Sequence, residues 1–281
     1  MQFPRPLADV FGRSHVVSFP QGDVRLHAHS FKMRGFPRVR VYTAASGDPT
    51  RATVIAVMHG VRRNADAYRD AWVPLIAGRD AIVVAPLFSG ERFPDTHSYN
   101  LGGTIDPTFT RHRPRRKWTF AMVAPLVEDA VKRLGGTPGT FRMYGHSAGA
   151  QFVHRYLAFT PAAPVDRAVA ANAGWYTMPR RRRPFPYGFE RAPKTDLTAF
   201  LARDLVVMLG GADHGQEFRR DDEHTLRQGS TRFERGRAFY ESGRELAGKL
   251  DADFGWRLVV VPGVAHEHAR MAVTAADYLL D

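Results

Sequence analysis

The chain has 281 residues, 44% of them hydrophobic, with no cysteine and a formal charge of +12. The absence of thiols excludes disulfides and thiolate metal sites, and no apolar run approaches the roughly 20 residues that a membrane-spanning helix needs. The basic excess is almost all arginine, only five of the forty Lys and Arg being lysine. Without a nucleic-acid module or an aromatic-basic platform it reads as a solvated surface, so no nucleic-acid partner is expected.

Met1 to Val10 carry two prolines and no signal-like apolar stretch, which together with the missing cysteines leads to an expected cytoplasmic location. The length suits one large open-sheet domain over residues 1–281. Within the first fifty residues, short alternating runs at Val16 to Phe19, Leu26 to Lys32 and Val39 to Thr43 are separated by Pro20, Gly22, Gly35 and Pro37. They predict an antiparallel edge.

From Ala52 onward, continuous apolar strands alternate with helical periods, as in a buried parallel sheet. The strands are expected at Thr53 to Met58, Ala81 to Ala85, Thr140 to Tyr144, Arg167 to Ala171, Leu205 to Leu209 and Arg257 to Val261. Val123, Leu126, Val127, Ala130 and Leu134 recur at helical spacing behind Pro125; Phe239, Leu246 and Leu250 mark a second helix and Met271 to Leu280 a last one. The fold class predicted is α/β, a doubly wound, mostly parallel sheet whose functional loops gather at the carboxyl ends of the strands.

At one of those ends stand Gly145, His146, Ser147, Ala148 and Gly149, between a strand-like run and the helix-like run Gln151 to Phe159. A serine hydroxyl is a poor nucleophile unless it is lifted clear of its neighbours and given a base. A sharp strand-to-helix turn lifts it, and the flanking glycines are needed because a β-carbon would collide across so tight a bend. The simpler reading is a surface turn with an idle serine; the strand and helix on either side argue against it.

Two further strand ends supply the partners. Leu205 to Leu209 runs into Gly210, Gly211, Ala212 and Asp213, and Arg257 to Val261 runs into Pro262, Gly263, Val264, Ala265 and His266. The order Ser147, Asp213, His266 places acid and base on strands after the nucleophile. His266 would take the Ser147 proton and return it to the leaving group, with Asp213 holding the other ring nitrogen. Asp204 and Asp253 precede their strands and lie at the wrong end, and Asp95, Asp106, Asp221 and Asp222 lack a strand-end position. His268 is the fallback base.

The tetrahedral intermediate needs two donors aimed at its oxyanion. One is the Ala148 N–H. The other is expected in the loop after Thr53 to Met58, at the Val61 N–H, with the Gly60 or Arg62 N–H as the alternatives one residue to either side. His59 reads as an orienting residue of that loop. The pairs His27 with His29 and His266 with His268 lack an H-E-x-x-H helix or clustered carboxylates, so no metal is expected; His27 and His29 are expected on an exposed face of an edge strand.

With these residues in place, the chain from Val39 onward resembles the α/β-hydrolase superfamily. The run Met58-His59-Gly60-Val61-Arg62-Arg63-Asn64 followed by Tyr68, then Tyr144-Gly145-His146-Ser147-Ala148-Gly149, then Gly263-Val264-Ala265-His266 with a following Met271, looks like bacterial esterases related to poly(3-hydroxybutyrate) depolymerases and feruloyl esterases. The resemblance implies a serine esterase without cofactor, using Ser147, Asp213 and His266. Secreted members of that branch usually carry signal peptides and disulfides, and this chain shows neither.

Met178 to Arg203 stands where the superfamily often inserts a lid; at about 25 residues it is expected to form only a short cap. Between Asp213 and His266 lies an extra polar loop, Gly215 to Gly236. Arg62, Trp175 and Tyr176 are the candidate substrate-binding residues, with Arg63, Phe185 and Tyr187 nearby. The competing reading packs the aromatics into the cap and pairs the arginines with surface acids. The function expected is hydrolysis of a small or oligomeric carboxylic ester through an acyl-enzyme. The alternatives are an amidase, peptidase or acyltransferase with the same three residues, and a non-catalytic binding module on the same fold.

Overall fold

The computed structural model describes residues 14–281; the expectation for Met1 to Val10 lies outside them. Among the described residues, nine strands form one sheet: β1 His15–Phe19, β2 Gly22–Phe31, β3 Val39–Ser46, β4 Thr53–Met58, β5 Ala81–Leu87, β6 Phe141–His146, β7 Val165–Ala171, β8 Leu205–Gly210 and β9 Trp256–Val261. Their order across the sheet is β1-β2-β3-β5-β4-β6-β7-β8-β9. The first three strands run antiparallel to one another, and β3 pairs antiparallel with β5. Everything from β5 to β9 is parallel. This is the α/β-hydrolase arrangement, with its antiparallel N-terminal edge.

Continuous apolar strands are needed because both faces of the sheet are covered. In β4, Val54, Ala56 and Met58 join one core while Ile55 and Val57 join the other. The helices α1 Ala65–Ile76 and α7 His268–Leu279 cover the second face; α2 Val123–Arg133, α3 Ala148–Phe159, α4 Leu197–Leu201 and α6 Arg232–Leu250 cover the first. A one-turn helix, α5 Glu223–Leu226, lies in the segment between β8 and α6.

Pro125 proves compatible with α2 because it is the third helical residue, where the backbone N–H has no acceptor within the helix. Helix α6 starts at a capping box in which Thr231 and Glu234 satisfy each other's backbone N–H, and it ends at Asp251 in the left-handed region. No helix among the described residues is long and apolar enough to cross a membrane.

The strand order reverses at β4: β5, which follows it, lies on one side and β6 on the other. The crevice beyond the carboxyl ends of β4 and β6 is therefore the topological switch point where open α/β sheets bind ligands. Residues 178–203 lie elsewhere. Their Phe185 and Phe189 pack against Phe159 at the end of α3, with ring centroids 5.7 and 5.8 Å apart, and Phe189 meets Phe200 of α4.

Candidate active site

Ser147 links β6 to α3 with φ +59° and ψ −116°, a conformation that costs a non-glycine residue of order 1–3 kcal/mol and persists only where the surroundings impose it. The surroundings do so. A β-carbon on Gly145 would stand 2.3 Å from the Gly149 carbonyl oxygen, and one on Gly149 would stand 2.0 Å from the Met58 carbonyl oxygen. The Ser147 N–H donates to the Ala171 carbonyl at 2.9 Å, tying the bend to β7. Ala148 opens α3, where its N–H has no acceptor within the helix.

Ser147 lines a cavity of about 270 Å³ together with Asp213 and His266. His266 Nδ1 lies 2.7 Å from Asp213 Oδ2. The carboxylate is 1% exposed, whereas the imidazole is partly open to the cavity. The loops carrying acid and base are zipped together, the Gly211 N–H donating to the Val261 carbonyl and the Ala212 N–H to the Val264 carbonyl, both at 2.9 Å. Asn172, just after β7 with φ +49°, clasps both: its Nδ2 donates to the Ala265 carbonyl at 3.0 Å and its Oδ1 accepts the Gly210 N–H at 2.7 Å. Asn172 escaped the reading of the sequence; its one local signal is an Asn at a strand end, where the left-handed conformation suits it.

On the other side of Ser147, Gly60 and Val61 line the cavity. His59 is buried, and burial holds its pKa at about 3, so it is neutral. The Phe88 N–H donates to its Nε2 at 3.1 Å, which places the ring proton on Nδ1, and Nδ1 donates to the Gly60 carbonyl at 2.9 Å. In a trans peptide the N–H points opposite to the C=O, so this bond turns the Val61 N–H away from His59. The Tyr99 hydroxyl donates to the His59 carbonyl at 2.8 Å, and its ring stacks on the imidazole at 4.7 Å.

Three histidines and a tyrosine meet at the back of the cavity. His146 lies 4.5 Å from His266, ring to ring, and its Nδ1 is 3.1 Å from the Tyr68 hydroxyl. His268 stacks on Tyr68 at 4.1 Å and 8°. Burial pushes the pKa of His268 down to about 4 and that of His146 well below its usual value, with positive charge on His266 adding to both shifts. Burial raises the Tyr68 phenol well above its usual range. These neighbours of the His266 imidazole are neutral at pH 7.

Arg62 and the extra polar loop form the mouth. Arg62 Nη2 donates to Glu217 Oε1 at 2.9 Å, both side chains being largely exposed, and its guanidinium lies 5.1 Å from the Phe218 ring centroid. Arg63 is not a mouth residue: it donates to the Phe88 and Phe93 carbonyls and covers Tyr99 at 4.3 Å.

The structure corrects several expectations. Trp175 and Tyr176 are 2% and 0% exposed and do not line the cavity. Trp175 lies under the Arg155 guanidinium at 4.1 Å, and Tyr176 stacks on Phe239 at 4.4 Å, because aromatic area is best buried against α3 and α6. Phe185 and Tyr187 are likewise absent from the lining; so is the rest of 178–203, while Gly215, Glu217, Phe218 and Arg232 are present. His29 is buried rather than exposed, since β2 is an inner strand, and its Nε2 lies 3.2 Å from Asp129 Oδ2.

Two solved structures share both sequence and fold with this chain. Poly(aspartic acid) hydrolase-1 from Sphingomonas sp. KT-1 is 38% identical with a TM-score of 0.85, the match covering 90% of this chain and 98% of that one. LpqC, a poly(3-hydroxybutyrate) depolymerase from Bordetella parapertussis, is 32% identical with a TM-score of 0.84, covering 90% and 88%. The chain belongs to the α/β-hydrolase superfamily. An S-formylglutathione hydrolase from Agrobacterium tumefaciens, 13% identical with a TM-score of 0.57 over 94% of this chain and 96% of that one, shares the fold of this α/β-hydrolase. No family model matches the chain, and no curated protein does.

Within this α/β-hydrolase, the polar loop after β8 holds the other residue that the sequence did not reveal. Arg232, the first residue of α6, donates from Nη1 to Asp213 Oδ1 and to the Gly215 carbonyl, each at 3.1 Å, and from Nη2 to the Glu217 carbonyl. An arginine at a helix start in so arginine-rich a chain carries no signal of its own.

Proposed function

We propose that the chain is a serine esterase that cleaves carboxylic esters through an acyl-enzyme, with Ser147 as nucleophile, His266 as general base and Asp213 as its orienting acid. The observation that carries this reading is the 2.7 Å contact between His266 Nδ1 and Asp213 Oδ2 beside the strained Ser147 in one cavity. With Nδ1 engaged by the carboxylate, His266 presents Nε2 as the acceptor for the Ser147 proton. The hydroxyl oxygen attacks the ester carbonyl, and the oxyanion that forms is met by the N–H groups of Ala148 and Val61, the Gly60 peptide fixing the latter. His266 then gives the proton to the departing alcohol, and water repeats the sequence to release the acid. No step requires a cofactor. His268, half-buried and stacked on Tyr68, stays behind the base instead of replacing it.

Val61 and Phe218, 49% and 59% exposed, give the mouth an apolar rim suited to an acyl chain, with Arg62 beside them. A panel of neutral p-nitrophenyl esters of rising chain length tests the reading: the wild type turns them over and Ser147→Ala does not. Retained turnover in the variant contradicts it.

A second reading is favoured by the 38% identity with a poly(aspartic acid) hydrolase, since the same machinery cleaves amides when the pocket protonates the amine. An anionic polymer would be met at the mouth by Arg62, whose exposed pairing with Glu217 is weak enough to be exchanged. On this reading poly(aspartic acid) is degraded, and Arg62→Ala raises KM for anionic substrates more than for neutral ones. Equal losses on both contradict it.

A further inference from the structure

The carboxylate of Asp213 has two oxygens, and only one faces the base. Oδ2 meets His266, while Oδ1 accepts a hydrogen bond from the guanidinium of Arg232, which is itself 1% exposed. A buried arginine is costly unless its donors are engaged. Here Nη1 and Nη2 also reach the carbonyls of Gly215 and Glu217, backbone of the loop whose Glu217 and Phe218 side chains form the cavity mouth, and Nε alone is buried without a partner. One side chain thus joins the acid of the proposed triad to the rim over which substrate enters.

The geometry points to Arg232 as a positioning residue with two separable actions, setting the pH range in which His266 works as a base and holding the 215–218 rim in place for substrate. This inference rests on the triad reading above. The first action is electrostatic. The Arg232 cation on Oδ1 offsets part of the carboxylate charge that faces His266 across Oδ2, and its removal leaves the base against an uncompensated buried anion. The other groups facing this cluster do not do the same work. His146 and His268 are held neutral by burial, and Tyr68 and Tyr176 by raised phenol pKa values. Glu217 is turned outward to Arg62; Arg219 and Arg235 both pair with Asp221.

The second action depends on shape. A guanidinium can reach one carboxylate and two carbonyls from a single planar fork, and an ammonium cannot. Charge and fork are therefore separated by two substitutions. Arg232→Met removes both; Arg232→Lys keeps the charge and loses the fork.

The test is the pH profile of kcat/KM, with KM measured at the plateau, for wild type, both variants and Ser147→Ala on one neutral ester. In Arg232→Met the acid limb moves upward by about one pH unit, the scale of a nearby charge on an ionisable group, and KM rises severalfold. In Arg232→Lys the acid limb stays at its wild-type position while KM rises. A Met variant with the wild-type acid limb overturns the inference. If that variant fails to fold, the Lys variant decides alone, since a shifted limb or an unchanged KM contradicts the assignment. Turnover retained in Ser147→Ala would remove the triad reading itself; a dead Ser147→Ala beside unshifted Arg232 variants removes only this inference.

Discussion

Gly149 and Met58 approach so closely that a single methyl group on the glycine would stand 2.0 Å from the Met58 carbonyl oxygen. The first turn of α3 is thereby pressed onto the end of β4, which brings Ser147 beside the Gly60 loop; a β-carbon on Gly60 would lie 3.7 Å from the Ser147 Cβ. Gly149→Ala is expected to destabilise the fold by roughly 3 kcal/mol, the cost of overpacking a site with backbone on the far side. Chemical denaturation reports it directly: a midpoint within error of wild type would show that the close approach can relax.

Asp213→Asn replaces the acceptor of the His266 Nδ1 proton by a group able to present its own N–H to that nitrogen, which favours the wrong tautomer. With Ser147 and the backbone donors untouched, kcat is expected to fall by about 10³-fold or more while KM changes little. Steady-state kinetics on a neutral ester check this; a loss confined to KM would assign Asp213 a binding role instead.

Much of this arrangement is legible in the amino-acid order because it follows from short-range sterics and sheet burial. The Gly145-x-Ser147-x-Gly149 spacing is imposed by a bend that excludes β-carbons, and the run Val54 to Met58 is apolar at every position because both faces of its strand are covered. Helix α1 leaves a weaker trace: Pro74 sits in its last turn and no side chain caps its start. What stays hidden are polar contacts between residues distant in sequence. Asn172 bonds Ala265, 93 positions away, and Arg232 bonds Asp213, 19 positions away; neither an Asn after a strand nor an Arg at a helix start announces such a partner. Trp175 and Tyr176 fail for a related reason, since aromaticity records an apolar surface but not the side of the chain on which it is buried.

His59 holds the Gly60 carbonyl through Nδ1 and receives the Phe88 N–H at Nε2. His59→Phe retains the bulk and loses both bonds, freeing the peptide that presents the Val61 N–H. The expected consequence is a fall in kcat of up to about 10²-fold, the cost of one oxyanion donor. KM is expected to hold, because the loss appears only as charge develops. A variant with wild-type kcat would exclude the Gly60–Val61 peptide from the oxyanion site.

Neutral histidines, His59 buried and His268 half-buried, also set the acid stability. With folded pKa values depressed to about 3 for His59 and about 4 for His268, against about 6.5 in the unfolded chain, protons bind the unfolded state first as pH falls. Their contribution is fully present above about pH 6.5 and declines on acidification through the folded values, at about 1.4 kcal/mol per pH unit for each group. Urea midpoints at pH 7.5 and pH 5 are expected to differ in that direction, and His59→Phe is expected to narrow the gap. Equal midpoints would contradict the neutral state of these rings.

An activated Ser147 hydroxyl at the carboxyl edge of the sheet would react with an electrophilic phosphorus centre. Labelling with a fluorophosphonate, followed by mass spectrometry of the modified peptide, tests it most directly. One adduct is expected, on Ser147, lost in Ser147→Ala and strongly slowed in His266→Ala. An unlabelled wild type, or a label that persists in the Ser147 variant, would contradict it.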